Sequence, residues 1–292
     1  MTERTNGNIL VAIVISVAIG AGVAAAGSDG SVAFAGFPLF ALCGALAFLI
    51  NWLVFLPSAA ARTEKFYDLT GGLTYLSVTA FAVYAAGTLD LRGQIVAALV
   101  IVWAVRLASF LFVRISKDGK DGRFDDIKTR PLRFLMAWTL QGLWVLLTAA
   151  CALAIITSAR KVPMELIGWL GLGVWVVGFL IEAISDHQKS KFKADPGNEG
   201  KFITTGLWSW SRHPNYFGEI TLWTGVAIMA LPVLSGWQWV TLISPVFVTF
   251  LLTKVSGIPL LEQRAEARWG EDPEFRRYTD STSVLIPLPP KS

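Results

Sequence analysis

Acidic and amide side chains recur four residues apart in two otherwise apolar stretches of the sequence. Glu182 and Asp186 form one such pair, and Asn215 and Glu219 form another. Residues four apart on a helix project from the same face, so each pair would present two polar side chains together. Such side chains are costly inside a membrane, where they usually face a partner or a polar cavity. The spacing therefore indicates a polar site between helices.

Acids outnumber bases among the charged residues that lie within apolar stretches or at their ends. These residues are Asp68, Arg106, Glu182, Asp186, Glu219 and Lys254. For any single acid, an ion pair with a neighbouring helix is a sufficient explanation. For the whole set, acceptors are left over, and a nucleotide would satisfy them with its adenine amine, ribose hydroxyls and carboxamide. Lys and Arg of the neighbouring loops would then bind its phosphates.

The motifs of common cofactor and metal sites are absent from the sequence. It contains neither G-x-G-x-x-G after a strand nor G-x-x-x-x-G-K-[ST], so side chains of a helical bundle would have to hold any nucleotide. Cys43 and Cys151 lie far apart and form no spaced motif with His187 or His213. Neither a metal site nor a disulfide framework is predicted.

The composition is that of a membrane protein. Of the 292 residues, 54% are hydrophobic and 16% are charged, whereas a soluble domain carries about 25% charged residues. The apolar residues fall in blocks of roughly twenty, the length of helix that crosses about 30 Å of hydrocarbon. We therefore predict an all-α, polytopic membrane helix bundle of seven to eight transmembrane helices, forming one membrane-embedded domain over residues 1–292. The expected spans are roughly Ile9–Ala26, Val32–Leu56, Leu69–Ala86, Gln94–Val113, Phe134–Thr157, Glu165–Ile184, Phe217–Leu231 and Trp237–Leu252.

Whether the protein has seven or eight transmembrane helices depends on the N-terminal segment. Residues 1–31 hold an extra apolar segment whose end, Ala24–Ala26, is similar to a signal-peptidase site. With this span retained and the N-terminus inside, most of the 25 Lys and Arg residues fall on one side, together with the polar tail 261–292. Basic loops stay in the cytoplasm. The polar site is therefore expected to face the cytoplasm.

The stretch Arg212–Glu219 reads Arg-His-Pro-Asn-Tyr-Phe-Gly-Glu. Alone, it predicts a loop and a helix that starts near Pro214 with a polar first turn. It stands in an ordered series with further motifs at Lys65–Thr70, Glu182–Lys189, Thr253–Glu262 and Leu285–Pro287. This series resembles the bacterial branch of the steroid 5-alpha-reductase family, within the membrane steroid and sterol reductases.

The resemblance implies a helix bundle that holds NADPH in a cavity facing the cytoplasm and reduces the double bond of a steroid-like enone arriving from the lipid. The implied catalytic residues are Tyr67 and Asp68, beside the substrate ketone, and Arg106. The implied cofactor-binding residues are Glu182, Asp186, Lys193, Arg212, His213, Asn215, Tyr216, Glu219, Lys254 and Glu262. The sequence departs from the animal enzymes at Glu182, where they have Asn, and at Trp103, where they have a tyrosine that shares the ketone.

The chemistry of enone reduction is compatible with these residue types. Negative charge builds on the ketone oxygen, and a donor aimed at that oxygen in a dry cavity lowers the barrier. Tyr67 could donate while Asp68 orients or protonates. The alternatives are an interfacial aromatic for Tyr67 and a helix N-cap for Asp68. A steroid-like lipid and membrane lipids are the expected partners, without nucleic acid, and the expected location is a bacterial inner membrane.

Two other functions remain compatible with the sequence. A membrane methyltransferase that binds S-adenosylmethionine is the main one, because such enzymes also use Arg-His-Pro-x-Tyr-x-Gly, with a later glutamate that Glu262 could match. Asn215 and the Glu182–Asp186 pair favour the reductase. A non-enzymatic lipid-binding protein or scaffold is the other, and it would leave the buried acids unexplained.

Overall fold

The computed structural model describes the backbone of residues 2–118 and 124–290, and the side chains of residues 6–109 and 124–290. The described chain is almost entirely helical, apart from a short antiparallel pairing of Ala33–Phe34 with Phe37–Pro38. Its α-helices are α1 Thr2–Gly27, α2 Leu39–Ala60, α3 Tyr67–Ala86, α4 Leu91–Asp118, α5 Pro131–Ile156, α6 Leu166–Ala194, α7 Pro214–Ala230, α8 Ile243–Phe250, α9 Ile258–Trp269 and α10 Pro273–Ser281. The five-residue segment Leu251–Val255 is a π-helix.

Seven segments in the described part of the chain are long and apolar enough to cross a membrane. They are Asn6–Gly27, Leu39–Ala60, Tyr67–Ala86, Leu91–Ser109, Pro131–Ile156, Leu166–Ala194 and Gly236–Trp269. Several apolar side chains of α1, such as Val11 and Val14, are more than half exposed, as expected for residues that face lipid. The predicted polytopic helix bundle is confirmed. The expected span Phe217–Leu231 corresponds to α7, which is 17 residues long and is not among the seven.

The chain folds as two compact units. The first contains α1 to α5 and the segment Ala230–Ser244, and the second contains α6, α7 and the chain from Pro245 onward. The expected single domain stays a prediction.

Helix α5 is the central element of the first unit. It packs against α1, α2, α3 and α4, and every residue from Val145 to Ile156 is buried. A proline at its first position suits a helix start, because the N–H that proline lacks would have no partner there. At Gly142 an added Cβ would lie 3.0 Å from the Cα of Phe48, so glycine is needed for α2 to approach this closely. The first unit is therefore organised around α5.

In the second unit, α6 and α7 meet through glycines on both helices. A Cβ at Gly171 would lie 2.7 Å from the carbonyl oxygen of Gly225. One at Gly178 would lie 2.7 Å from the carbonyl oxygen of Gly218, and it would also strike the backbone of Leu222. Small residues at such interfaces let helix backbones approach closely, which is a main source of stability between membrane helices.

The C-terminal part of the second unit folds back onto the segment between α6 and α7. The indole N–H of Trp269 donates to the carbonyl oxygen of Gly200 at 2.6 Å. The hydroxyl of Tyr278 donates to the carbonyl oxygen of Trp208 at 2.7 Å, and the rings of Phe202 and Phe275 pack edge to face at 5.2 Å. The polar tail expected from the sequence therefore contains two helices, α9 and α10, that are held by aromatic contacts.

Replacing Gly178 with Ala should destabilise the protein, because the added methyl group has no space against α7. Overpacking of this kind costs about 1–3 kcal/mol and should lower the Tm by several degrees in a thermal unfolding assay in detergent. Gly173→Ala is the matched control, since it lies on the same helix and nothing is within 4 Å of its Cβ position. Equal Tm values for the two variants would contradict the proposed backbone contact.

Candidate active site

The close contact of α6 and α7 brings together polar residues that the sequence places 29 positions apart. A side-chain N–H of Asn215 donates to Oδ1 of Asp186 at 3.2 Å. Gly218 lies against the backbone of Glu182, where its added Cβ would be 2.5 Å from the nitrogen. Glu182 and Asp186 are both buried. The two polar pairs predicted from their spacing therefore lie at the same level of the second unit.

The acids singled out from the sequence all interact with groups of the protein. Asp186 accepts from Asn215, and Asp68, Glu182 and Glu219 each have an interaction with a neighbouring group. Arg106 likewise has one. The acids are therefore not left without partners, and they do not by themselves indicate a ligand. The features that do so are the Arg-His-Pro motif and a basic cavity of the second unit.

The Arg-His-Pro motif forms a network with α9. Nε2 of His213 lies 2.7 Å from Oε1 of Glu262, and Nη1 of Arg212 lies 3.1 Å from Oε2 of the same carboxylate. The ring of Tyr216 stacks on that of His213, with centroids 5.7 Å apart. The backbone N–H of Arg212 also donates to the carbonyl oxygen of Ser283 at 2.8 Å. The motif thus joins the start of α7 to α9 and to the C-terminal segment.

A cavity of about 480 Å³ opens beside this network, within the second unit. Basic side chains dominate the charge of its lining, with six Lys or Arg against two Glu. The basic ones are Lys189, Lys193, Lys201, Arg212, Arg264 and Arg268, and the acidic ones are Glu199 and Glu262. Arg binds phosphate through paired N–H donors, and Lys binds it as a point charge. The cavity is therefore suited to an anionic ligand that carries phosphate groups.

Aromatic rings line the same cavity and contact its bases. Nζ of Lys189 lies 4.5 Å from the ring centroid of Trp208, and the guanidinium carbon of Arg268 lies 4.8 Å from that of Trp269. Tyr278 also lines the cavity; burial raises the pKa of its hydroxyl, which donates to the carbonyl oxygen of Trp208. Flat apolar surfaces next to cations are what an adenine ring and its phosphates require.

Sequence reasoning identified only part of this cavity. Lys193, Arg212, His213 and Glu262 were expected at a cofactor site and line it, whereas Lys189, Lys201, Arg264 and Arg268 were missed. A signal was present, because Lys189 and Lys193 are four residues apart, as are Arg264 and Arg268. The other residues expected at the cofactor site do not line this cavity, and they are Glu182, Asp186, Asn215, Tyr216, Glu219 and Lys254. Lys254 lies exposed in the π-helix.

The expected catalytic residues lie in the first unit. Tyr67 starts α3, and its hydroxyl donates to the carbonyl oxygen of Ala137 at 2.9 Å. Its ring packs against those of Phe124 and Trp138. To act as a proton donor, the hydroxyl would therefore have to leave this acceptor. Asp68 is in the first turn of α3.

Two further residues singled out from the sequence lie on α4. Arg106 is partly buried on this helix. Trp103 is almost fully buried, and its ring meets that of Tyr75 edge to face at 5.0 Å. The indole thus occupies a packed position against α3 in the first unit.

Comparison with known proteins connects these features to a family. A family model described as "Protein of unknown function (DUF1295)" matches residues 54–282. The chain is 31% identical over 119 residues to 3-oxo-5-alpha-steroid 4-dehydrogenase 1 of Rattus norvegicus, which is 40% of each protein. It is 40% identical over 60 residues to the Homo sapiens protein of the same name, which is 20% of this chain and 23% of that protein. These matches confirm the resemblance to steroid 5-alpha-reductases.

A shorter match leads to a different class of enzyme. The chain is 36% identical over 67 residues to "Probable O-methyltransferase ustE" of Ustilaginoidea virens, which is 23% of each protein. The chain spans at most about two fifths of the length of these curated relatives. No solved structure matches the chain significantly.

The buried His213 should make the protein less stable in acid. Burial lowers its pKa below the ordinary 6.5, Lys189 and Arg212 lower it further, and Glu262 opposes them. The unfolded chain therefore binds this proton more readily than the folded one. The contribution to stability is complete above about pH 6.5 and is lost as the pH falls below that value.

We expect the Tm in detergent to decrease between pH 7 and pH 5, and to decrease less for His213→Gln. His187→Gln is the control, because this exposed histidine lies on α6, next to the same site. It should follow the unaltered protein. If His213→Gln keeps the full pH dependence, then another group is responsible for it.

Proposed function

We propose that this chain, which belongs to the steroid 5-alpha-reductase-like family described as "Protein of unknown function (DUF1295)", is a membrane reductase that uses NADPH. Its proposed reaction is reduction of the enone double bond of a 3-oxo-Δ4 steroid or a similar lipid. The observation that carries the proposal is the basic, aromatic-lined cavity of the second unit, next to the Arg212–His213–Glu262 network.

The lining of this cavity fits the charge and shape of a phosphorylated dinucleotide. NADPH carries a diphosphate and a 2′-phosphate, and the 2′-phosphate alone adds a charge of about −1.5 to −2. Lys189, Lys193, Lys201, Arg264 and Arg268 supply donors for these groups. Trp208 and Trp269 supply flat surfaces for adenine. Asp186, Asn215 and Glu219 lie outside the lining of this cavity, and in this proposal they accept from, or donate to, the ribose and carboxamide groups.

Bound NADPH would supply the hydride for the β-carbon of the enone. The task of the protein is then to stabilise negative charge at the ketone oxygen and to exclude water. In this proposal Tyr67 donates a hydrogen bond to that oxygen, after exchanging its present acceptor on Ala137 for the ketone. Asp68 orients the donor or provides the proton that the α-carbon takes up as the enolate returns to the ketone, and Arg106 contributes positive charge.

Membrane lipids would surround the bundle, and the steroid-like substrate would enter from them. We place the protein in a bacterial inner membrane, with the basic cavity on the cytoplasmic side. The distribution of Lys and Arg over the expected loops supports this orientation.

A methyltransferase is the second candidate, supported by the short match to an O-methyltransferase and by the Arg-His-Pro motif. The charge of the cavity argues against it. S-adenosylmethionine has a cationic sulfonium and no phosphate, so six basic side chains around one cavity would repel it rather than attract it. The same side chains would attract a polyanionic nucleotide.

Removing single bases from the cavity should weaken NADPH binding. Arg264→Ala and Lys201→Ala should each raise the Kd about tenfold, because each loses a charge-assisted contact with phosphate, worth about 1.4 kcal/mol. Binding can be followed through NADPH fluorescence with the protein in detergent. Excess S-adenosylmethionine should leave the signal unchanged.

Arg276→Ala is the matched control for these variants, because Arg276 is exposed and pairs with Glu266 outside the cavity lining. It should keep the Kd within twofold. Normal NADPH affinity in both cavity variants would show that the phosphates bind elsewhere. Displacement of NADPH by S-adenosylmethionine would favour the methyltransferase.

Asp68→Asn should reduce kcat for a 3-oxo-Δ4 steroid by about 100-fold, within the range expected for loss of a general acid. The Kd for NADPH should not change, because Asp68 does not line the basic cavity. Asp126→Asn removes a similar charge from an exposed site that pairs with Arg130 and Arg133, and it should have no effect. NADPH consumption with product analysis measures the rates, and normal turnover in Asp68→Asn would remove Asp68 from the mechanism.

A further inference from the structure

Gln141 is a buried carboxamide in the central helix of the first unit. It lies in α5 with 8% of its surface exposed, two residues beyond the buried Thr139 and one residue before Gly142. Polar side chains are rare in such positions in membrane helices and usually have a function. Neither the spacing of charged residues nor the family motifs singled out Gln141 from the sequence.

Gln141 is hydrogen-bonded to the first residue of α3. Its Nε2 donates to the backbone carbonyl oxygen of Tyr67 at 3.0 Å. The hydroxyl of Tyr67 in turn donates to the carbonyl oxygen of Ala137, one turn earlier in α5, at 2.9 Å. Two hydrogen bonds in opposite directions therefore fix Tyr67, backbone and side chain, to one face of α5. Asp68 follows in the same turn of α3.

Helix α3 packs closely against the amide of Gln141. A Cβ at Gly71, one turn along α3, would lie 2.8 Å from Nε2 of Gln141. On the side of α2, a Cβ at Gly142 would lie 3.0 Å from the Cα of Phe48. Glycine at both positions lets α5 lie close to both neighbours. The Gln141 amide thus lies between α5 and α3, and its neighbour Gly142 contacts α2.

The two ends of the carboxamide differ in their contacts, because Nε2 donates to Tyr67 and Oε1 accepts no hydrogen bond from the described residues. Oε1 of Gln141 is buried and has no hydrogen-bond partner within the described residues. A buried, unpaired amide oxygen is destabilising, and an apolar residue of similar shape would avoid it. Packing alone therefore does not account for a glutamine here, whereas its bond to Tyr67 does.

We propose that Gln141 is a positioning residue that holds the first turn of α3, and with it Tyr67 and Asp68, in the orientation needed for reduction. This inference rests on the proposed function of these two residues. Gln141 itself need not touch substrate or cofactor. Misplacement of a reacting group by about 1 Å can cost about 100-fold in rate, so loss of this single hydrogen bond should affect turnover more than binding.

Kinetics of two test variants and two controls, each in the 292-residue chain, test the inference, with a 3-oxo-Δ4 steroid and NADPH as the probes. Gln141→Leu should lower kcat between about 10-fold and 100-fold while the KM for the steroid and the Kd for NADPH stay within twofold. Gly71→Ala should reproduce this split, because its methyl group displaces the Gln141 amide. Gln94→Leu and Gly22→Ala are the matched controls. Gln94 bonds to the carbonyl oxygen of Leu89 away from α3, and nothing is within 4 Å of a Cβ at Gly22.

Gln141→Glu provides a readout that a purely structural role would not produce. A neutral carboxylic acid keeps an O–H donor for the carbonyl oxygen of Tyr67, whereas a carboxylate offers only acceptors. The kcat of this variant should therefore fall as the pH rises, with a transition that the unaltered enzyme lacks. If Gln141→Leu does not fold, Gln141→Glu and Gly71→Ala still carry the test.

The outcomes separate this inference from the proposed function. If the unaltered protein binds no NADPH and reduces no enone, the proposed function fails and this inference fails with it. If the unaltered enzyme is active while the folded Gln141 variants, loaded with NADPH to the same stoichiometry, keep kcat within twofold, only the role of Gln141 is disproved. A fall in NADPH stoichiometry without a fall in kcat per bound site also disproves it, because Gln141 would then support folding alone.

Discussion

In the second unit, α6 and α7 approach until glycine backbones touch, and the polar site depends on this contact. Gly178 and Gly218 leave no room for a side chain between the helices. The same approach sets Glu182 beside Gly218 and lets Asn215 reach Asp186. A larger residue at the interface would separate the helices and, with them, the two polar pairs. The close contact of α6 and α7 therefore determines both the stability of the unit and the geometry of its polar site.

Glycines also let the helices of the first unit pack closely against one another. Gly142 brings α5 against α2, and Gly71 brings α3 against α5. Hydrogen bonds between side chains and backbone then become possible in an apolar interior, as between Gln141 and Tyr67. Such bonds are stable there because no water competes for the donors and acceptors. In both units glycines let the helices approach closely, and polar side chains then form hydrogen bonds between them.

The sequence predicts the helices well and the partners of its polar residues poorly. Blocks of about twenty apolar residues locate most spans, because bilayer thickness sets their length. Spacing also predicts that Asp186 and Asn215 lie on the helix faces that carry the two polar pairs.

The partners of the acids could not be predicted by counting acidic against basic residues, since Asp68, Glu182 and Glu219 each have interactions that a count cannot reveal. The bases of the cavity were missed because Lys201 lies in a loop and Arg264 and Arg268 lie in a segment expected to be a polar tail. Only tertiary contacts, such as that of Trp269 with Gly200, bring them together.

The Arg-His-Pro motif of this chain connects separate elements of the second unit. Arg212 and His213 both direct their side chains to Glu262, and the backbone N–H of Arg212 bonds to Ser283. These interactions join α7, α9 and the C-terminal segment, so they build the wall of a cavity without selecting its ligand. Selection is left to residues outside the motif. In the function proposed above, those residues are Lys189, Lys193, Lys201, Arg264 and Arg268, which line the cavity and whose positive charge would favour a phosphorylated nucleotide over a sulfonium.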